Sequence, residues 1–387
     1  MDKVEFYSQN YIQFKVSQLK TRRVHNRTIL PFLNNLPKTF KVEEIGRSVQ
    51  NRAVHSVGFG TGPIKVLIWS QMHGNESTTT KAIIDFCNIL STITDDDDEI
   101  SLFTFLIIPI LNPDGAFNFS RYNQNGVDIN RDAKNLTQVE SVILKNIFES
   151  FKPDYCFNMH EQRSIYSAGE CNYPSTMSFL APSFDENSSI NSQRKISMFI
   201  INQIYNKLKK FIPNQISRFD ETFNMNCFGD LFQTLGVPTV LFEAGYYQND
   251  FKRNVSRKLT TLSLIIACKS ILESSQILKI PSEYYKIPEN KPLFFDVLIK
   301  DALINNNNLD EVHDIGIIFE EITFKEKIKL VPKIKSLGNL NLFFGHRIIN
   351  AGKSLVTSPK KLKIGLRIED FSIDNKKIPI LPENNLI

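Results

Sequence analysis

"KVLIWSQMHGNESTTT", residues 65–80, decides how the rest of this chain is read. Its first half is almost wholly apolar, as in a strand covered on both faces. Its end opens a helix-like segment, "STTTKAIIDFCNILSTI", with Ile83, Ile84, Cys87 and Leu90 on one side. Between the two lie His73 and Glu76, three positions apart. A buried strand that passes through a short turn into a helix is the unit of an α/β sheet, and ligands bind outside the carboxyl ends of such strands. The H-x-x-E spacing alone does not separate a metal site from a surface turn.

Working outward, the same alternation repeats. "TFKVEEIGRSV" and "AVHSVGFG" read as strands before it, with turns at Gly46 and at "GTGP", 60–63. After it come a buried strand in "ISLFTFLIIPIL" (100–111), a helix in "LTQVESVILKNIFESF" capped by Thr137 with Glu140 three residues on, and a strand in "DYCFNMH". "MSFLAPS" adds a strand, "NSQRKISMFIINQIYNKLKKF" a long amphipathic helix, "VPTVLFEAG" another buried strand and "SRKLTTLSLIIACKSILESS" a closing helix. The predicted fold class is α/β, with a mixed, mostly parallel central sheet covered by helices on both faces.

The pattern changes near residue 280. "KIPSEYYKIPENKP" reads as a linker, and "LFFDVLIKDALI", "DIGIIFEEITF", "KIKLVPKI" and "GLRIEDFSI" as short strands, with "NNNNLD" (305–310) as a turn or loop. The expected organisation is a helical lead-in over 1–38, a catalytic domain over 39–279 and a small β-rich domain over 280–387.

Bulk properties narrow the function classes. The chain has 387 residues and a net charge of +5, spread along its length, so neither nucleic acid nor membrane is an expected partner. The acidic run Asp95 to Glu99 reads as a solvated loop. Five cysteines with no C-x-x-C pair indicate neither a disulfide framework nor a cysteine zinc site, and with no apolar leader segment a cytoplasmic location is expected. His25, His55, His313 and His346 read as structural or surface residues.

The strand ends carry the chemistry. "KVLIWSQ" leads to His73 and Glu76, "DYCFNMH" ends at His160 and "TVLFE" ends at Glu243. Two histidines and a carboxylate make a catalytic-type zinc set, in which water keeps the fourth position. A further carboxylate is needed to take that water's proton and hand it to a leaving amine, and Glu243 is placed to do so.

Between these ends lies "NPDGAFNFSRYNQNGVDINRD", residues 112–132. With "HGNE" (73–76), "NPDG" (112–115), Arg121, "GVDINR" (126–131), His160 and "FEAG" (242–245) in this order, the sequence resembles the M14 zinc carboxypeptidase family over roughly residues 39–275. The resemblance implies a carboxypeptidase-like fold and one zinc ion held by His73, Glu76 and His160. It implies Glu243 as general base and then general acid, and Arg121 as the cation that holds the oxyanion. Asn130 and Arg131 would grip the substrate's terminal carboxylate, and Asp128 would hydrogen-bond His73.

There are departures. "FDETFNMNCFGD" holds no tyrosine where family enzymes often have a mobile one, so the side-chain pocket has no assigned residue. No acidic prosegment is expected from residues 1–38. Arg163, three residues after His160, adds a further cation and is a candidate substrate-binding residue. Its charge needs an anion, either the protein's own Glu161, Asp132 or Glu170, or a second carboxylate on the substrate.

The reading is a zinc-dependent metallopeptidase that hydrolyses C-terminal or peptide-like amide bonds of short peptides. The alternative is a zinc amidohydrolase or deacylase of the aspartoacylase type acting on N-acyl amino acids. Substrate identity, the role of the β domain and the oligomeric state are left open by the sequence.

Overall fold

The computed structural model of the chain describes residues 3–93, 98–273, 280–306, 309–368, 371–382 and 385–387. Eight strands form the central sheet: β1 (Phe40–Arg47), β2 (Ala53–Phe59), β3 (Ile64–Ser70), β4 (Phe103–Ile108), β5 (Tyr155–Glu161), β7 (Met177–Leu180), β8 (Ile216–Arg218) and β9 (Thr239–Ala244). A short strand, β6 (Ser167–Ala168), lies outside it. Their order is β1-β2-β4-β3-β5-β9-β7-β8. The four central strands β4, β3, β5 and β9 are mutually parallel, and the flanking β2 and β7 run antiparallel to them.

Strand periodicity sorts the core into two layers. On β3, Val66 and Ile68 join one cluster while Leu67 and Trp69 join the other, as side chains that alternate across a sheet must. The first layer is filled by helices α4 (Ser77–Leu90), α8 (Ser192–Leu208) and α10 (Asn254–Leu272). The second is filled by α7 (Val139–Phe151) and α9 (Phe228–Thr234), whose Phe148 and Phe232 rings stack 3.9 Å apart. The predicted α/β class, with helices on both faces, holds.

The topology opens the sheet at one place. The chain leaves β3 for β4 on one side, whereas β5 lies on the other side of β3 and leads on to β9. Connections that diverge from neighbouring parallel strands leave a crevice at their carboxyl ends. His73 and Glu76 follow β3, and His160 lies near the end of β5.

The lead-in forms α1 (Lys3–Gln9), α2 (Tyr11–Phe14) and α3 (Asn26–Leu33). It is anchored by Asp85 on α4. That buried carboxylate accepts from Tyr11 Oη at 2.5 Å, from Val16 N at 2.8 Å and from Arg257 Nε at 2.6 Å. With its lone pairs filled, this buried charge is compensated.

The C-terminal region is a four-stranded sheet of order β13-β12-β11-β14. Its strands are β11 (Phe294–Asn306), β12 (Leu309–Phe324), β13 (Lys327–Gly338) and β14 (Phe344–Asn350). Several sequence readings are corrected. The segment read as a linker is folded: Ile280–Tyr285 is a helix, Tyr284 is buried with its hydroxyl accepting from Ala181 N at 3.2 Å, and β10 (Asn290–Lys291) pairs with β6. Residues 305–306 and 309–310 are strand rather than loop, with 307–308 outside the described residues. Asp98–Ser101 is a helical turn, while Asp95 to Asp97 lie outside the described residues. Thr137 does not cap α7, because its hydroxyl and amide both donate to Asp132 Oδ1, at 2.7 and 2.9 Å. Among the described residues of "GLRIEDFSI", only Ser372–Ile373 is a strand, with 369–370 outside them.

Candidate active site

The turn after β3 is built on a backbone-to-backbone contact. A Cβ on Gly74 would lie 1.9 Å from the carbonyl carbon of Gly115, so only glycine fits there. Asn112 locks the pair: its Oδ1 accepts from Gly115 N at 2.8 Å and its Nδ2 donates to Met72 O at 3.1 Å. "HGNE" and "NPDG" are thus two halves of one support. It leaves Glu76 at the N-cap of α4, with its amide donating to His73 O at 3.0 Å.

Both histidines turn the same ring atom to Glu76. His73 Nδ1 lies 2.8 Å from Glu76 Oε1 and His160 Nδ1 lies 2.9 Å from Glu76 Oε2. On the far side of the His73 ring, Nε2 meets Asp128 Oδ1 at 2.9 Å. Asp128 also accepts from Asn130 N at 2.9 Å and from Arg121 Nε at 3.0 Å. A carboxylate on Nε2 keeps the proton there and leaves the Nδ1 lone pair free to bind an electrophile. Burial opposes the charge on Glu76, but His73 and His160 outweigh it and hold the carboxyl well below its usual range.

These atoms fit a metal ion. One ligand atom from each of His73, Glu76 and His160 lies within 4.8 Å of the other two, on buried or nearly buried residues. Two imidazoles and one carboxylate are the donor set that zinc takes when it keeps a position open.

Glu243 faces the same space. It is the register partner of His160 on the neighbouring parallel strand, it is buried, and its Oε2 has no hydrogen-bond partner. Burial, and then the Glu76 carboxylate, push its carboxyl well above the usual range.

A cavity of about 600 Å³ runs past these groups, and Arg121, Asn130, Arg131 and Arg163 all line it. Asn130 Oδ1 accepts from Phe228 N at 3.0 Å, which fixes the head of α9. Arg131 donates to Asn130 O at 2.7 Å and is otherwise exposed, with Cys227 Sγ 3.2 Å away. Arg163 is exposed and pairs with no carboxylate among the described residues. Glu161 is paired with Arg22, and Asp132 accepts from Thr137 and Gln138.

Other wall residues carry no signal in the sequence. Arg22 comes from the lead-in, Arg253 from the turn before α10, and Phe319 and Glu321 from β12. Tyr166, six residues past His160, also lines the cavity, with its ring 6.0 Å from Phe219. A tyrosine in the loop that follows the third metal-site residue is the one such feature a closer reading of spacing would have found.

The two histidines and one carboxylate at the switch point of the sheet form a candidate metal centre. Residues 29–200 match the model of the zinc carboxypeptidase family, Peptidase_M14. That match covers fewer than half of the chain's 387 residues, and over it the chain is similar to that family. It is similar to "Probable carboxypeptidase 2" of Arthroderma benhamiae, 29% identical over 117 residues, which are 30% of this chain and 20% of that protein. "Carboxypeptidase 2" of Trichophyton rubrum is 30% identical over 100 residues, or 25% of this chain and 19% of that one. The match thus spans about a fifth of the length of these curated relatives. Among solved structures, the carboxypeptidase A of Helicoverpa armigera shares the fold with a TM-score of 0.53 at 15% identity, covering 71% of this chain and 81% of its own.

Proposed function

We propose that the chain is a zinc-dependent metallopeptidase that hydrolyses C-terminal or peptide-like amide bonds of short peptides, with one zinc ion per chain. The observation that carries this reading is the convergence of both histidine Nδ1 atoms on Glu76, beside a buried Glu243 that has an unpartnered oxygen. When bound, zinc supplies a Lewis acid that polarises the scissile carbonyl and lowers the pKa of water towards about 7.

The remaining steps fall to the chain's own side chains. Glu243 accepts the proton of the attacking water and delivers it to the leaving amine. Glu243 would be the more readily ionised with a dication held by His73, Glu76 and His160, because the Glu76 repulsion would then be offset. Arg121 is held by Asp128, with Nη2 2.9 Å from Oδ2, and offers a fixed cation to the developing oxyanion. Asn130 and Arg131 take the substrate's terminal carboxylate, a task suited to the planar guanidinium. Arg163, exposed on the cavity wall, is a further substrate contact. Five free thiols support a reducing, cytoplasmic setting.

β12 adds Phe319 and Glu321 to the cavity wall, and a second reading of the same centre is the removal of an acyl group from an amino acid. Mass spectrometry of a peptide pool and an N-acyl amino acid pool, before and after incubation with zinc-loaded protein, tests both. Loss of C-terminal residues supports the peptidase. Free amino acids from the acyl pool alone would transfer the site to the deacylase reading. No change in either pool would overturn both.

A further inference from the structure

Arg253 is held where an arginine is hardest to hold. It is the N-cap of α10, in a left-handed conformation at φ +59. That conformation is strained for a non-glycine residue. A cation at a helix N-terminus also opposes the helix dipole. The residue is 5% exposed, and its Nη1 has no hydrogen-bond partner. Its one described side-chain contact is the Tyr246 ring, 5.5 Å from the guanidinium carbon.

The carboxylates around it are already used. Glu161 is paired with Arg22 and accepts from Thr78 N at 2.9 Å. Both oxygens of Glu321 lie within 3.2 Å of Arg22 Nη2. Asp296 accepts from Phe319 N at 2.6 Å. Arg253 forms no ion pair among the described residues, yet it lines the same cavity as His160 and Glu243. A buried guanidinium with a free donor is strongly unfavourable unless an anion completes it.

We infer that Arg253 is an anion subsite of this cavity, and that the substrate carries a second carboxylate besides the one taken at Asn130 and Arg131. Arg163, exposed on the same wall and also without a carboxylate, lies in the same cavity as an entering acidic side chain. The substrate class is therefore a short acidic peptide. Arg22 takes the direct ion pairs with both Glu161 and Glu321, so neither carboxylate reaches Arg253 at ion-pair distance, and their remaining negative charge acts on it only from farther away. The inference rests on the peptidase reading for its meaning, and the test below separates the two.

Peptides that differ only by Glu or Gln at each position flanking the scissile bond are compared by kcat/KM. Wild type should favour Glu at one position by about ten- to a hundred-fold, the range of a charged hydrogen bond. Arg253→Met should bring that ratio near one, and Arg253→Lys should leave it in between, because an ammonium keeps the charge but not the planar fork. A wild-type ratio near one at every position overturns the inference whatever the variants do. A ratio kept in Arg253→Met, or equal losses on both peptides, overturns it too. If no peptide is cleaved, the peptidase reading has failed, and the subsite is read by thermal shift with glutarate against butyrate. Stabilisation by glutarate alone, reduced in Arg253→Lys, supports the subsite; equal responses to the two acids overturn it.

Discussion

His160 and Glu243 are register partners on the adjacent parallel strands β5 and β9. Neighbouring strands lie about 4.8 Å apart, and register partners project to the same face. A residue at the metal centre and the proposed base are therefore fixed relative to each other by the backbone hydrogen bonds of the sheet. Loop conformation does not enter.

This placement predicts the effect of removing the proton acceptor while keeping its shape. Glu243→Gln should bind zinc as wild type does and lose about a hundred-fold or more in turnover. Steady-state kinetics beside elemental analysis reads both. Turnover within a few-fold of wild type would mean that another group activates the water.

For the metal, elemental analysis of purified protein should find about one zinc per chain, and His160→Ala should lose most of it, because two donors do not hold zinc against its water shell. Stoichiometric zinc in that variant would take His160 out of the ligand set.

The junction between lead-in, sheet and β12 gives a stability prediction. Arg22 is buried and its Nη1 also donates to Thr78 Oγ1 at 2.7 Å. Arg22→Ala leaves Glu161 buried without its pair, which should cost about 3–5 kcal/mol in urea denaturation. A loss below about 1 kcal/mol would show that Glu161 finds a substitute partner.

Asp230, on α9 and lining the cavity, gives a pH prediction. Burial pushes its carboxyl up to about 7. Below about pH 4 it is protonated in both folded and unfolded chains. From about pH 4 to 7 the unfolded chain gives up this proton and the folded chain keeps it. Stability from this group is therefore full at low pH, falls as pH rises through that window and levels off above it. The difference in unfolding free energy between wild type and Asp230→Asn, followed from pH 4 to 8, should show this decline. A flat difference would place an ionised Asp230 in the folded protein.

The sequence by itself determined the elements and the centre. Apolar runs of strand length between helical periodicities gave the α/β sheet, because burial on both faces demands them, and strand-end residues His73, Glu76, His160 and Glu243 are found together at the crevice the topology opens. Local rules failed where a distant partner outbid a local one. Thr137 had the spacing of a cap but bonds Asp132, and a Pro- and Tyr-rich stretch that looked like a linker folds because Tyr284 finds a buried hydrogen bond to Ala181. The cavity walls were out of reach for the same reason. Arg22, Arg253 and Glu321 stand far apart in the chain, and none has a periodicity or motif that marks it. What brings them to one wall is the docking of the lead-in and of β12 onto the strand ends, and only the folded chain decides which charges there find a partner.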